Sequence, residues 1–169
     1  MTWVMTYLMK HPRAMIKVQE EVRNLIGAKG FVDEDDVRKL PHLKTVVKET
    51  MRLQPTVPLL VPRETIEKCI LYRYEIPSKM LVFVNTWAIE IDPEVWDNPK
   101  KFYPERFIDS LIDMKGHHFE LELALANLIY KFDWEMPVGL KKEDLDFDVL
   151  PGIAMHKKNV LRLMAKNMD

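Results

Sequence analysis

Cysteine is nearly absent from this sequence: Cys69 is the only one in 169 residues. A single thiol excludes an internal disulfide framework and any zinc site built on several thiolates, and it fits a reducing compartment. Long apolar runs are also missing. "WVMTYLM", Trp3 to Met9, falls far short of the roughly 20 residues a spanning helix needs. It has no basic flank and no small-residue cleavage site, so it does not read as a signal peptide. Neither sign of charge dominates: the net charge is −1, with Lys and Arg interspersed among Asp and Glu. That leaves no basic face for nucleic acid. There is no internal repeat and no low-complexity linker.

What is present describes a soluble, globular chain. Hydrophobic residues make up 47% and charged residues 30%, a balance that favours a packed core over disorder. The length suits one domain, or part of a larger one. The first helix has only Thr2 as a cap and no Glu or Gln at the capping-box position, so it reads as an element whose beginning is missing. Pro12 ends it and starts the next. From Arg13 to Ile26, Met15, Val18, Val22 and Leu25 form one apolar face, with Gly27 as the stop. Asp33 to Asp36 supply an N-cap and first-turn acids for a short helix to about Leu40. Pro41 to Leu53 is a helix whose stripe is Leu43, Val46, Val47, Thr50 and Leu53.

Pro55, Pro58 and Pro62 then impose an extended path. "IEKCIL" and "MLVFV" read as two strands around the turn "IPSK". "DPEVWDNPKKFYPERF" reads as a structured loop with one helical turn near Glu94 to Trp96. A Leu-rich helix spans about Phe119 to Phe132, with no glycine-rich loop before it. "LDFDV" and "NVLRLMA" read as a final hairpin turned at Pro151 and Gly152. The pattern is α+β, mainly α, in a single domain.

Glu49 and Arg52 lie three apart on one helix, beside its buried stripe, so they can pair. Alone, they read as an ordinary surface pair or as a partly buried node that locks another segment. "YPERF", Tyr103 to Phe107, offers a third partner: Arg106, in a loop crowded with Phe102, Tyr103 and Phe107. Arg forks can bind a carboxylate and keep donors for others.

Glu-x-x-Arg followed by Pro-Glu-Arg-Phe resembles the cytochrome P450 superfamily of haem-thiolate monooxygenases, of the plant microsomal type. The resemblance extends over essentially the whole chain and corresponds to the C-terminal part of the fold. It implies the end of the I helix, then J and K, a small β-sheet, the PERF loop, a truncated L helix and a final hairpin. It implies that Glu49, Arg52 and Arg106 form a structural triad supporting the haem region. Arg63 corresponds to a haem-propionate partner. Thr56, Val57, Leu59, Leu60 and Ile153 correspond to substrate-pocket positions. Trp87 matches a Trp-Ala-Ile element, although Glu90 and Ile91 depart from the residues that usually follow. Haem b, an NADPH-cytochrome reductase, small apolar plant metabolites and the cytosolic face of the endoplasmic reticulum are the implied cofactor, partner, substrates and location. This chain shows no anchor, so it is expected in the cytoplasm.

The family's chemistry needs a thiolate that pushes electron density onto haem iron. Its loop, Phe-x-x-Gly-x-Arg-x-Cys, belongs between "MKGHHFE" and "LELALANL", and roughly 20 residues are absent at the join of Glu120 and Leu121 by comparison with the family pattern. The acid–alcohol pair of the I helix would lie upstream of Thr2. Cys69 falls in the wrong segment and reads as a small strand hydrophobe. His117 and His118 are neighbours whose side chains splay apart by about 100° in a helix. They read as a solvated loop pair rather than a metal site, and His156 reads as a surface turn residue. The expectation is a family member without catalytic or metal-binding residues, and with a marginal or partly molten core. The alternative is a non-catalytic interaction protein that binds a reductase or a full-length relative.

Overall fold

The computed structural model describes residues 1–110 and 118–168. Its helices are α1 (Thr2–Lys10), α2 (Pro12–Ile26), α3 (Glu34–Val37), α4 (Pro41–Leu53), α5 (Thr86–Glu90) and α6 (Phe119–Lys131). The core forms where α1, α2, α4 and α6 pack together. α1 buries every residue from Val4 to Met9, as an apolar helix must when it is enclosed on all sides. On α2, Met15, Val18 and Val22 are buried as expected, but Leu25 is exposed and Ile26 completes the face. Ile26 continues the i+4 row through Val18 and Val22, which is the row that meets α4 and α6.

Helix ends are satisfied from neighbouring helices. The start of α4 has no side-chain cap of its own; the Glu21 carboxylate on α2 accepts from the His42 and Leu43 amides at 2.8 and 2.9 Å. That places an anion on two orphan donors at the positive end of α4. Arg23 does the converse for α6, donating to the Ile129 and Phe132 carbonyls at 3.3 Å each and pairing with Asp133 at 2.8 Å. Asn127 on α6 pairs with both the amide and the carbonyl of Val32. The Tyr130 hydroxyl donates to Gly27 O. Asp33 and Asp36 form the capping box of α3; that helix ends at Val37, with Arg38 and Lys39 in a turn.

The strands pair two by two among the described residues: β1 (Arg63–Glu64) with β4 (Leu81–Val82), β2 (Cys69–Leu71) with β3 (Tyr74–Ile76), β5 (Phe132–Glu135) with β8 (Met164–Asn167), and β6 (Val149–Leu150) with β7 (His156–Lys157). Two expectations need correction. "IEKCIL" does not pair with "MLVFV". The chain reverses earlier, at Tyr72–Arg73, and "MLVFV" pairs back onto β1, where Thr65 bonds both the amide and the carbonyl of Met80. At the C-terminus, the hairpin at Pro151 and Gly152 is only β6–β7. "NVLRLMA" runs past it and pairs with β5, because Phe132 is already extended and leaves α6 as a strand edge. α6 therefore ends at Lys131, one residue before the expected stop.

Candidate functional site

Glu49 and Arg52 are fully buried, and Arg106 nearly so. The bland reading of Glu49–Arg52 as a surface pair is therefore replaced by the buried node. Arg52 grips Glu49 bidentately, Nε to Oε2 at 2.8 Å and Nη2 to Oε1 at 3.0 Å. Its remaining donors reach the carbonyls of Glu90 at 2.6 Å and Pro99 at 2.7 Å. Glu49 Oε1 also accepts from Arg106 Nε at 3.2 Å and from the Tyr103 amide at 2.8 Å. Arg106 goes on to the Asp97 carbonyl at 2.9 Å and the Lys101 carbonyl at 3.3 Å. A buried carboxylate is tolerable only when paired and fully hydrogen-bonded, and this one is. The indole of Trp96 closes the node, with the Arg52 and Arg106 guanidinium carbons 5.0 and 5.9 Å from its centre. Burial pushes the Glu90 carboxyl upward, against the lowering pull of Arg52.

Sequence reasoning found the three charges but not Trp96, the Tyr103 amide or the four carbonyls. The dense "DPEVWDNPKKF" loop was the available signal, and backbone acceptors leave no mark in a sequence.

The other named positions form a second group. Thr56 O accepts from the Met155 amide at 2.7 Å, so the segment carrying Thr56, Val57, Leu59 and Leu60 meets the turn carrying Ile153. Thr56 and Met155 line one cavity of about 440 Å³ with Thr2, Met51 and His156. Leu59, Leu60 and Ile153 are exposed at 45%, 38% and 70%. Arg63 is exposed on β1, and its guanidinium makes no hydrogen bond or ion pair among the described residues. Cys69 is exposed on β2. His118 precedes α6, and its carbonyl accepts from the Glu122 amide; His117 lies outside the described residues. Among the described residues no cluster of three or more His, Cys, Asp or Glu could hold a metal ion, and no helix is long and apolar enough to cross a membrane.

The profile of the Cytochrome P450 family matches residues 1–119. This chain belongs to the cytochrome P450 family. Cytochrome P450 71A9 of Glycine max is 47% identical over 183 residues, covering 96% of this chain and 37% of that protein. 5-OH-xanthotoxin synthase of Ammi majus is 47% identical over 192 residues, covering 98% of this chain and 38% of that protein. A zebra fish cytochrome P450 solved with progesterone superposes with a TM-score of 0.85 at 27% identity, over 98% of this chain and 40% of that one. The chain thus spans less than two fifths of the length of the curated cytochromes P450 it matches. Since 96% of 169 residues is about 162, about 21 of the 183 aligned positions of the Glycine max protein face no residue here.

Proposed function

We propose that this chain is a silent member of a monooxygenase family: a cytochrome P450 scaffold that keeps the buried charge node and lacks the thiolate loop. The entry into α6 carries the reading. The family match stops at Phe119, and α6 runs unbroken from Phe119 to Lys131 across Glu120 and Leu121. Glu120 and Leu121 are consecutive residues of this helix, which is anchored through Asn127 and Tyr130. The roughly 21 unmatched positions agree in number with a missing segment of the length that the family pattern implies. The donor set supports it too. Thiolate ligation needs a cysteine at the haem face, and the sole cysteine is exposed on the β2–β3 hairpin. The residues present do not fit a thiolate-ligated haem.

The lineage assigns further roles. Arg63, with its free guanidinium, stands where a relative that carries the thiolate loop would hold a haem propionate. Thr56, Val57, Leu59, Leu60 and Ile153 stand as the wall facing a small apolar plant metabolite, and the Thr56–Met155 bond supports their convergence. In a relative that carries the thiolate loop, electrons would come from an NADPH-cytochrome reductase at the endoplasmic reticulum.

The reduced, carbon-monoxide-bound spectrum of the purified chain after exposure to haem tests the proposal. No thiolate-type Soret band is expected, and its appearance would overturn the reading. The genomic sequence between codons 120 and 121 provides a second check: an in-frame Phe-x-x-Gly-x-Arg-x-Cys would show that the expressed protein is longer.

A second reading, an interaction protein, is favoured by the apolar side chains left open between β1 and α5. Ile66, Ile70 and Tyr72 are 97%, 72% and 88% exposed. Sedimentation with a full-length relative tests it; the absence of any complex counts against it.

A further inference from the structure

A cavity of about 510 Å³ opens between the C-terminal ends of α1 and α4, the start of α5 and the loop at residues 100–102. Its volume is in the range that holds a small organic ligand. It is separate from the cavity beside Thr56. Aromatic rings form its walls. Phe102 lies flat on Tyr7, with centroids 4.6 Å apart and planes 13° apart, and the His11 ring is 4.7 Å from Phe102. Trp87 lines the same cavity, with 44% of its surface open. A large indole left in solvent at the mouth of an aromatic cleft offers a stacking face.

The rim is cationic. Lys100 and Lys101 both line the cavity, and no lining residue is acidic. Lys100 makes no ion pair among the described residues, while the Lys101 ammonium lies 5.9 Å from the Tyr103 ring centre. The backbone that presents them is fixed: the Lys101 carbonyl accepts from both Arg52 and Arg106. The backbone at Trp87 is fixed as well, because the Trp87 amide and the Thr86 hydroxyl both donate to Pro58 O, at 3.2 and 2.9 Å. An open indole face and two lysines carried on a fixed backbone form a preorganised frame, which lowers the ordering cost of binding.

We propose that this cavity binds a planar aromatic anion, a one- or two-ring carboxylate, stacked on the open face of Trp87 with its charge at the Lys100–Lys101 rim. The ring supplies affinity, and the ammonium groups supply selectivity for the anion through charge-assisted hydrogen bonds. The site needs no haem and stands independently of the silent-scaffold reading.

Calorimetric titration of the full chain with 2-naphthoate and with its neutral analogue 2-naphthamide tests the proposal. The carboxylate is expected to bind about tenfold more tightly than the amide. The double variant K100E/K101E should lose about that factor for naphthoate and leave naphthamide within about twofold. A charge-matched variant on another face, K39E/K79E, should change neither, which separates a local contact from net charge. W87A should weaken both ligands, with near-ultraviolet dichroism confirming the fold. Equal affinity for the two probes, naphthoate binding unaltered in K100E/K101E, or no naphthoate binding at millimolar concentration would each overturn it.

Discussion

The helical part of the molecule and the segment from β1 to β4 solve the burial problem in opposite ways. On α4 eight of thirteen residues are buried, including the charged Glu49 and Arg52. In β1 to β4 no residue is buried, although the segment carries Ile66, Ile70, Leu71 and Leu81. Helices can close a core among themselves, because each offers one stripe to several neighbours. A two-stranded ribbon has two faces and two edges, and is at best marginal without a third strand or a helix over it. The stability of this chain therefore resides in α1, α2, α4 and α6. The chain on either side of the β segment is tied down, Pro58 to Thr86 and Trp87 and Glu90 to Arg52.

The contrast predicts a steep gradient of mutational cost. Glu49→Ala has the largest effect. It leaves Arg52 buried without its counter-charge and should cost about 3–5 kcal/mol, with the folded baseline lost in a urea titration. A cost below about 1 kcal/mol would mean that water reaches the node. Leu43→Ala, at a fully buried α4 position, should cost about 2–5 kcal/mol by the same measurement. Glu21→Ala removes the borrowed cap of α4 and should cost about 1 kcal/mol, the usual worth of a capping carboxylate.

Acidity gives an independent probe of the helical half. Burial pushes the Tyr7 phenol from 10.0 up to about 12. The unfolded chain releases that proton first, so the stabilisation is complete below pH 10 and is lost as pH rises through about 12. The melting temperature should fall across that window, and less steeply in Tyr7→Phe. At the other extreme, the Lys29 ammonium, with help from the Asp36 amide, lowers the Asp33 carboxyl from 3.8 to about 2. Its contribution is present above pH 3.8 and is lost as pH falls through about 2.

The two halves were also unequally legible. α2 and α4 could be read nearly to the residue, because a 3.6-residue period and an initial proline agreed in both with a stop signal, Gly27 after α2 and Pro55 after α4. The spacing of Glu49, Arg52 and Arg106 was legible, but their burial was not. A surface pair and a buried pair share the same i, i+3 spacing; what distinguishes them here is a loop some 40 to 50 residues further on that brings its carbonyls and Trp96 over the guanidinium groups. The β segment was misread because its reversal carries no turn signature. Tyr72 and Arg73 adopt positive φ of 48° and 76°, the geometry of a two-residue hairpin turn normally built from Asn-Gly.

That turn yields the smallest and most local prediction. A positive φ costs a residue with a β-carbon about 1 kcal/mol or more, and glycine little. Replacing Tyr72 and Arg73 with Asn and Gly should therefore stabilise the β2–β3 pairing by about 1 kcal/mol. The pairing does not contribute to the helical core, so the gain should remain in the hairpin. Amide exchange at Ile70, Leu71 and Glu75 should slow, while the urea midpoint of the helical signal moves by less than about 0.5 kcal/mol equivalent. Ile70→Ala should likewise leave that midpoint within about 0.5 kcal/mol. If either change shifted the global midpoint as Leu43→Ala does, the ribbon would be part of the same cooperative unit as α4, and the division between the two halves would be wrong.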